Sequence, residues 1–280
     1  MKLTVVTATF NCIRAGNGAK LQRCIESVSS LKCEHEHLIM DGASIDGTAE
    51  LARRVGSEHN MNELHIFSEK DGGIYEALNK GLARASGEWF YVLGADDCIV
   101  HPGILEGLIV SAGDEDVIVA PVDRDGKANY QFHGYKDLWS VFLWVSYCHQ
   151  GVLMRTNVVK RFGGFDESYR MCADADLFLK CHTNGVYFRY TFRSFANFSA
   201  GGLCESDGEL AEREAQRYLA ANFGLSSEEA IRLRKERKLP LRVISRYILG
   251  HDLALRIGSR YMLLMYLKWW CRRLWRFVCG

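Results

Sequence analysis

The spacing of short apolar runs across the first hundred residues limits the possible folds more than any other feature of this chain. Residues 3–7, 37–40, 64–68 and 89–93 are rich in β-branched, aromatic and aliphatic side chains, and each has the length of a buried strand. The segments between them carry helical patterns. Residues 19–31 place Leu21, Cys24, Ile25 and Val28 on one stripe, the spacing of a helix that faces a core. The turn-rich octet 41–48 leads into a second helix running through Arg54, and residues 69–81 read as a loop followed by a third. Strands and helices alternating through short loops predict an α/β fold with a largely parallel central sheet flanked by helices.

Ligands of such sheets bind in the crevice beyond the carboxyl ends of the strands. Here four successive strand ends carry polar clusters: Thr9 with Asn11, Asp41 with Asp46, Glu69 with Asp71, and Asp96 with Asp97. Each alone reads as turn chemistry, but together they outline a cleft of nucleotide size. The last pair follows the run 89–93 after only Gly94 and Ala95. Adjacent carboxylates there suit Mg²⁺ or Mn²⁺, with a diphosphate supplying the remaining oxygens. The plainer reading is that they open a turn and cap a helix beginning near Pro102. A dinucleotide-binding Rossmann fold fits less well: Gly16 lies well past the end of the first strand, and 16–21 lacks the third glycine of the fingerprint. No Walker loop is present.

Past Asp97 the pattern is less regular. Residues 116–121 and 129–133 read as strands, where parallel pairing gives way to mixed pairing, and 138–144 is apolar and aromatic. His149 and Gln150 precede a strand-like 152–154. A histidine after an aromatic run is commonly a hydrogen-bonded core residue. Asp174 falls at a helix entrance, where it is either a cap or a catalytic acid.

Composition adds bounds. With 280 residues, 48% hydrophobic and 25% charged, the chain is long enough for one large globular domain and an appendage. Its net charge of +1 hides an asymmetry: residues 241–280 hold eight Lys/Arg against one Asp, +7, leaving −6 for the rest. An acidic body without a nucleic-acid module argues against nucleic-acid binding. The ten cysteines show neither Cys-x-x-Cys pairs nor zinc-type His spacing, so they read as reduced thiols of a cytoplasmic protein. The opening residues are too short an apolar run for a signal peptide, and no stretch is long and apolar enough to span a bilayer. Residues 205–238 read as helices, with a capping pattern at 226–229. The tail mixes Trp269, Trp270, Trp275 and Phe277 with Lys268, Arg272, Arg273 and Arg276. Such a helix either lies in an anionic headgroup layer or packs on the domain.

Taken in order, residues 7–11, 41–48, 69–81, 87–97, His149-Gln150 and 173–177 resemble the family-2 nucleotide-sugar glycosyltransferases. The likeness covers about residues 1–205 and looks nearest to bacterial members of the colanic-acid type that build exopolysaccharide, capsule or O-antigen. It implies a GT-A fold over 1–205, with a nucleotide-binding half at 1–97 and an acceptor half at 98–205, followed by a C-terminal helical region, 206–280, ending in the basic tail. It further implies metal-dependent, inverting transfer of a hexose from a nucleoside-diphosphate sugar, UDP-linked, to an acceptor hydroxyl on a polyprenyl-diphosphate-linked saccharide, at the inner face of the cell membrane. By position, Asp41 would recognise the base. Thr7, Thr9, Asn11, Asp71 and Asp96 would line the donor, and Asp96 and Asp97 would hold the metal. Asp174 would be the general base, with His149 and Gln150 on the acceptor side. The chemistry agrees, since single displacement at an anomeric carbon needs one base and charge stabilisation at the departing diphosphate. Two positions depart from the pattern: Gly94, where many relatives carry Asp or Asn, and Gly42, where many carry a second acid. The competing reading is a catalytically silent relative that binds a nucleotide sugar or glycan within an assembly complex.

Overall fold

The computed structural model describes residues 1–124, 127–130, 148–199 and 207–236. The apolar run 138–144 and the basic tail 241–280 lie outside the described residues. The first half follows the expected alternation: β1 (Leu3–Thr9), α1 (Gly18–Ser29), β2 (His35–Asp41), α2 (Thr48–Glu58), β3 (Leu64–Ser68), α3 (Ile74–Arg84) and β4 (Trp89–Val92). The second half contains β5 (Cys98–Ile99), α4 (Pro102–Val110), β6 (Val117–Val119), β7 (Val122–Arg124), β8 (Lys127–Tyr130), a 3₁₀ turn at His149–Gly151, and β9 (Val152–Arg155). It continues through α5 (Thr156–Arg161), α6 (Ala173–Thr183), β10 (Phe188–Tyr190), β11 (Ala196–Phe198), α7 (Gly208–Phe223) and α8 (Ser227–Glu236).

Seven strands form the central sheet in the order β10-β6-β9-β4-β1-β2-β3. The β1/β2, β2/β3, β1/β4 and β6/β10 pairs are parallel, and β9 alone runs antiparallel, to both β4 and β6. The mixed pairing expected from 116–121 onward is present: β6 pairs in parallel with β10 but antiparallel with β9, and β7 pairs antiparallel with β8. A second sheet, β5-β11-β7-β8, was not anticipated; its strands are two to four residues long, too short for periodicity to register.

Both faces of the central sheet are covered. Trp89, Tyr91 and Leu93 point into the layer that contains Cys24, Val28 and Leu105 of α1 and α4. Phe90 packs on the other side with Tyr75, Leu78, Leu177 and Phe178 of α3 and α6. This two-sided burial is why the run 89–93 is continuous instead of alternating. Ala215, Tyr218 and Leu219 of α7 and Ala230 of α8 belong to that second cluster, so the C-terminal helices share a core with the sheet. The capping pattern at 226–229 is realised: Glu229 N donates to Ser226 Oγ at 3.1 Å and Ser226 N to Glu229 Oε2 at 3.2 Å, the reciprocal pair that starts a helix.

Candidate active site

The loops after β1, β2 and β3 are knitted together by one carboxylate. Asp41 is 1% exposed. It accepts hydrogen bonds from Thr9 Oγ1 (3.1 Å), Ser44 N (2.9 Å), Ser44 Oγ (2.5 Å) and Ser68 Oγ (2.6 Å). Asn11 extends the lattice, its N–H donating to Ser44 Oγ (2.8 Å) and its Oδ1 accepting from Ile45 N (3.1 Å). Asn11 and Ala43 hold left-handed φ of 46° and 58°, conformations that persist only where neighbours fix them. Asp41 thus spends its lone pairs on the chain itself and acts here as the clasp of the edge.

Gly42 explains the acid missing beside it. A Cβ there would lie 2.9 Å from Asp71 Oδ2 and 3.2 Å from Phe10 Cδ2, so the loop after β3 brings Asp71 across to that spot. Burial raises the Asp71 carboxyl, with the Gly73 amide and Lys80 opposing it. Phe10 stands 66% exposed at the same edge. Thr7 does not reach the cleft. It is fully buried, and its hydroxyl shares hydrogen bonds with His37 Nε2 (3.0 Å) and Cys24 Sγ (3.9 Å), because it lies two residues inside the strand on the face turned to α1.

The acidic loop after β4 is tighter. Asp97 N donates to Gly94 O at 3.0 Å. A Cβ on Gly94 would meet Asp97 Oδ2 at 2.3 Å and Asp96 Oδ1 at 3.3 Å, so glycine is what lets both carboxylates converge on one spot. Neither caps α4, whose N-cap is His101 without a side-chain bond; β5 intervenes. Asp97 is 1% exposed and accepts from Ser199 N at 2.8 Å and Gln150 Nε2 at 2.6 Å. Burial pushes it up to about 6; the Ser199 and Gln150 bonds and His149 oppose this, and Asp96 adds to it. Among the described residues no group of three or more His, Cys, Asp or Glu could hold a metal unaided. Two converging hard oxygens fit a divalent cation whose other ligands come from a phosphate-bearing partner.

The reversed direction of β9 supplies the opposite wall. Since β9 runs against β4, its first residues lie at the edge where β4 ends, and the preceding turn delivers His149 and Gln150 there. Tyr91 OH on β4 donates to Gln150 O at 2.9 Å, and Cys148 Sγ donates to Gln150 Oε1 at 2.7 Å. These bonds aim the amide N–H at Asp97. His149 Nδ1 lies 3.4 Å from Asp174 Oδ2, in the first turn of α6. Asp174 Oδ1 accepts from Ala175 N (2.9 Å) and makes a long contact with Tyr75 OH (3.4 Å). Burial pulls His149 down, but its hydrogen bond to Asp174 and the Asp174, Asp97 and Asp96 charges outweigh that, and the net direction is up.

Asp96, Asp97, His149, Gln150 and Asp174 line one cavity of about 410 Å³. Its remaining wall is chiefly apolar and includes Phe10, Ile74, Tyr75, Phe90, Val152, Met154, Phe165 and Phe178. The structure brings these five polar residues, drawn from both halves of the chain, to one space. Thr9, Asn11, Asp41 and Asp71 gather in the adjoining loop lattice, and Thr7 stays in the core. Ser199 escaped the sequence reading because nothing in its local pattern marks a backbone amide that reaches a carboxylate 102 residues upstream. Glu214 escaped as well, although a signal existed: a carboxylate in the stripe formed by Leu210, Tyr218 and Asn222.

The profile described as Glycosyl transferase family 2 matches residues 4–191. Curated relatives from Mycobacterium bovis and Mycobacterium tuberculosis, described as PGL/p-HBAD biosynthesis glycosyltransferase, are 29% identical over 204 residues, covering 70% of this chain and 78% of theirs. Among solved structures, Staphylococcus aureus TarS 1–349 in complex with UDP-GlcNAc superposes with a TM-score of 0.65 at 16% identity, over 89% of this chain and 79% of that one. The mannosyltransferase PcManGT from Pyrobaculum calidifontis, in complex with GDP-Man and Mn²⁺, gives 0.59 at 17% identity, over 95% and 86%. Glucosyl-3-phosphoglycerate synthase from M. tuberculosis, with Mn²⁺, UDP and glucosyl-3-phosphoglycerate, gives 0.56 at 16% identity, over 80% and 81%. At these identities the structural matches speak to the fold alone, which is GT-A.

Proposed function

Because this chain belongs to glycosyl transferase family 2, we propose that it moves a hexose from a nucleoside-diphosphate sugar, UDP-linked, to an acceptor hydroxyl by inverting single displacement. The observation that carries this reading is the shared cavity, with two converging carboxylates on one wall and the His149–Asp174 pair on the other. The complexes of TarS with UDP-GlcNAc, PcManGT with GDP-Man and Mn²⁺, and the synthase with UDP and Mn²⁺ support a nucleotide-sugar donor and a divalent cation.

Asp96 and Asp97 would hold Mg²⁺ or Mn²⁺, whose chemistry is to neutralise charge on the departing diphosphate. The chain's own residues do the rest. Gln150, fixed by Tyr91 and Cys148, keeps the Asp97 carboxylate in place. Asp174 takes the proton of the attacking hydroxyl as the new bond forms, with His149 holding its Oδ2. The loop lattice around Asp41 shapes the nucleoside side, and Asp71 and Phe10 offer an acid and an exposed ring there.

The apolar lining supports an acceptor that carries an apolar group, which a lipid-linked saccharide in surface-polysaccharide synthesis would provide. The tail 241–280 seats the enzyme on the anionic inner face of the membrane. Reversing Arg272 and Arg273 to Glu in the full chain should abolish flotation with phosphatidylglycerol vesicles, and unchanged flotation would refute that seat. Asp174→Asn tests the chemistry: an enzyme keeps Mn²⁺-dependent binding of the donor and loses transfer. A wild-type chain that binds UDP-sugars from a broad panel yet consumes none, with any acceptor extract, is the silent relative.

A further inference from the structure

Glu214 lies on α7, beyond the residues matched by the family profile, and is 6% exposed. Its carboxylate reaches across to the turn that launches α6. It accepts from three consecutive amides, Arg170 N (2.7 Å), Met171 N (2.9 Å) and Cys172 N (3.0 Å). Helix beginnings leave amides without intrahelical partners, and α6 has no side-chain cap from its own N-cap, Cys172. Of the three amides only that of Cys172 belongs to the helix start, so the Glu214 carboxylate ties the N-cap residue and the two residues before it to α7 through charge-assisted bonds.

The grip is periodic. On the same face of α7, Ala211 O accepts from Cys172 Sγ (3.7 Å), the Arg217 guanidinium stacks on the Tyr169 ring (4.2 Å), and Asn222 Nδ2 donates to Asp176 Oδ1 (2.8 Å). Positions 211, 214, 217 and 222 share one side of a helix. They hold residues 169–176, with Asp174 near the end of that span.

We propose that Glu214 is a positioning residue for Asp174: it fixes the 170–172 turn, and through it the direction from which the Asp174 carboxylate enters the cavity. This rests on the reading of Asp174 as the base. Misplacement of a reacting group by about 1 Å costs up to about a hundredfold in rate, so loss of these three bonds acts on turnover before it acts on donor affinity.

The test compares Glu214→Gln, whose amide nitrogen cannot accept, with Leu219→Ala, a cavity in the same helix that lowers stability without touching the turn. UDP-glucose, UDP-galactose and UDP-N-acetylglucosamine serve as donors with Mn²⁺, below the unfolding range of both variants. Glu214→Gln should lower kcat about ten- to a hundredfold with donor KM within about twofold, and should speed amide exchange across 170–176. Leu219→Ala should keep kcat near the wild-type value. Wild-type kcat in Glu214→Gln, or an equal loss in Leu219→Ala, overturns the proposal, as does unchanged exchange across 170–176 whichever donor is consumed. Asp174→Asn run alongside separates the two ideas: full transfer by that variant removes the base assignment, whereas loss there with full turnover by Glu214→Gln removes only the positioning role.

Discussion

Asp97→Asn should make the metal-free protein more stable at pH 8 while abolishing its response to Mn²⁺. Asp97 is 1% exposed, and burial holds its carboxyl near 6 against an ordinary 3.8. A difference of about two pKa units corresponds to about 3 kcal/mol spent keeping the group ionised when folded. The amide keeps one acceptor for Ser199 N, but its NH₂ faces the Gln150 NH₂ that now donates to Asp97. Turning Gln150 around sacrifices its bond from Cys148, a loss of about 1 kcal/mol. The net gain is then about 2 kcal/mol, or about 5 °C in Tm for a domain of this size. The folded state binds the Asp97 proton more tightly than the unfolded state, so its stabilising contribution is complete below pH 3.8 and lost as pH rises through about 6. The advantage of the Asn variant should accordingly be largest at pH 8, about a third as large at pH 5, and about nil or slightly reversed at pH 4, where the lost Cys148 bond outweighs the remaining burial cost. Thermal unfolding with EDTA at those three pH values measures it, and repeating the pH 8 scan with Mn²⁺ and UDP tests the cation. An Asn variant less stable than wild type at pH 8, or a pH-independent difference, would refute the burial argument.

Other substitutions probe the rest of the cavity and the adjoining loop lattice. Gly94→Asp should weaken Mn²⁺-dependent UDP binding about tenfold or more, since its Cβ would sit 2.3 Å from Asp97 Oδ2; titration calorimetry showing wild-type affinity would count against a converged pair. Asp41→Ala strands donors from Thr9, Ser44 and Ser68, and should cost about 2–4 kcal/mol in urea unfolding; a cost under about 1 kcal/mol would mean the lattice is not held by that carboxylate. His149 is raised by Asp174, so its stabilising contribution is present below its ordinary 6.5 and fades as pH climbs through the folded value. The stability gap between wild type and His149→Asn should therefore narrow from pH 6 to pH 9, and a gap that widens would contradict the pairing with Asp174.

Much of the first hundred residues was readable because their strands and helices are long enough for periodicity to show and their polar residues sit at strand ends. The runs 3–7, 37–40, 64–68 and 89–93 all became strands of one sheet, within two residues at either end. The same reasoning misjudged Thr7, because a strand end is defined by where the backbone leaves the sheet, and β1 continues to Thr9. Asp41 shows a different limit. Sequence position marks an acid at the edge, but only coordinates reveal that four donors from three segments already occupy it. The wall formed by His149, Gln150 and Asp174 was least legible. The His149–Asp174 contact joins residues from different elements, and Ser199 reaches Asp97 from just past a three-residue strand in a sheet that left no periodic trace.

One strand laid head-to-tail against its neighbours has an architectural consequence. Because β9 enters the sheet at the cleft instead of leaving it there, the turn before it meets the end of β4 and is fastened to Tyr91 and Asp97 on the facing side. Under the proposed function, a substitution that retunes recognition of the recipient is thereby felt at the leaving-group side as well, through a single amide.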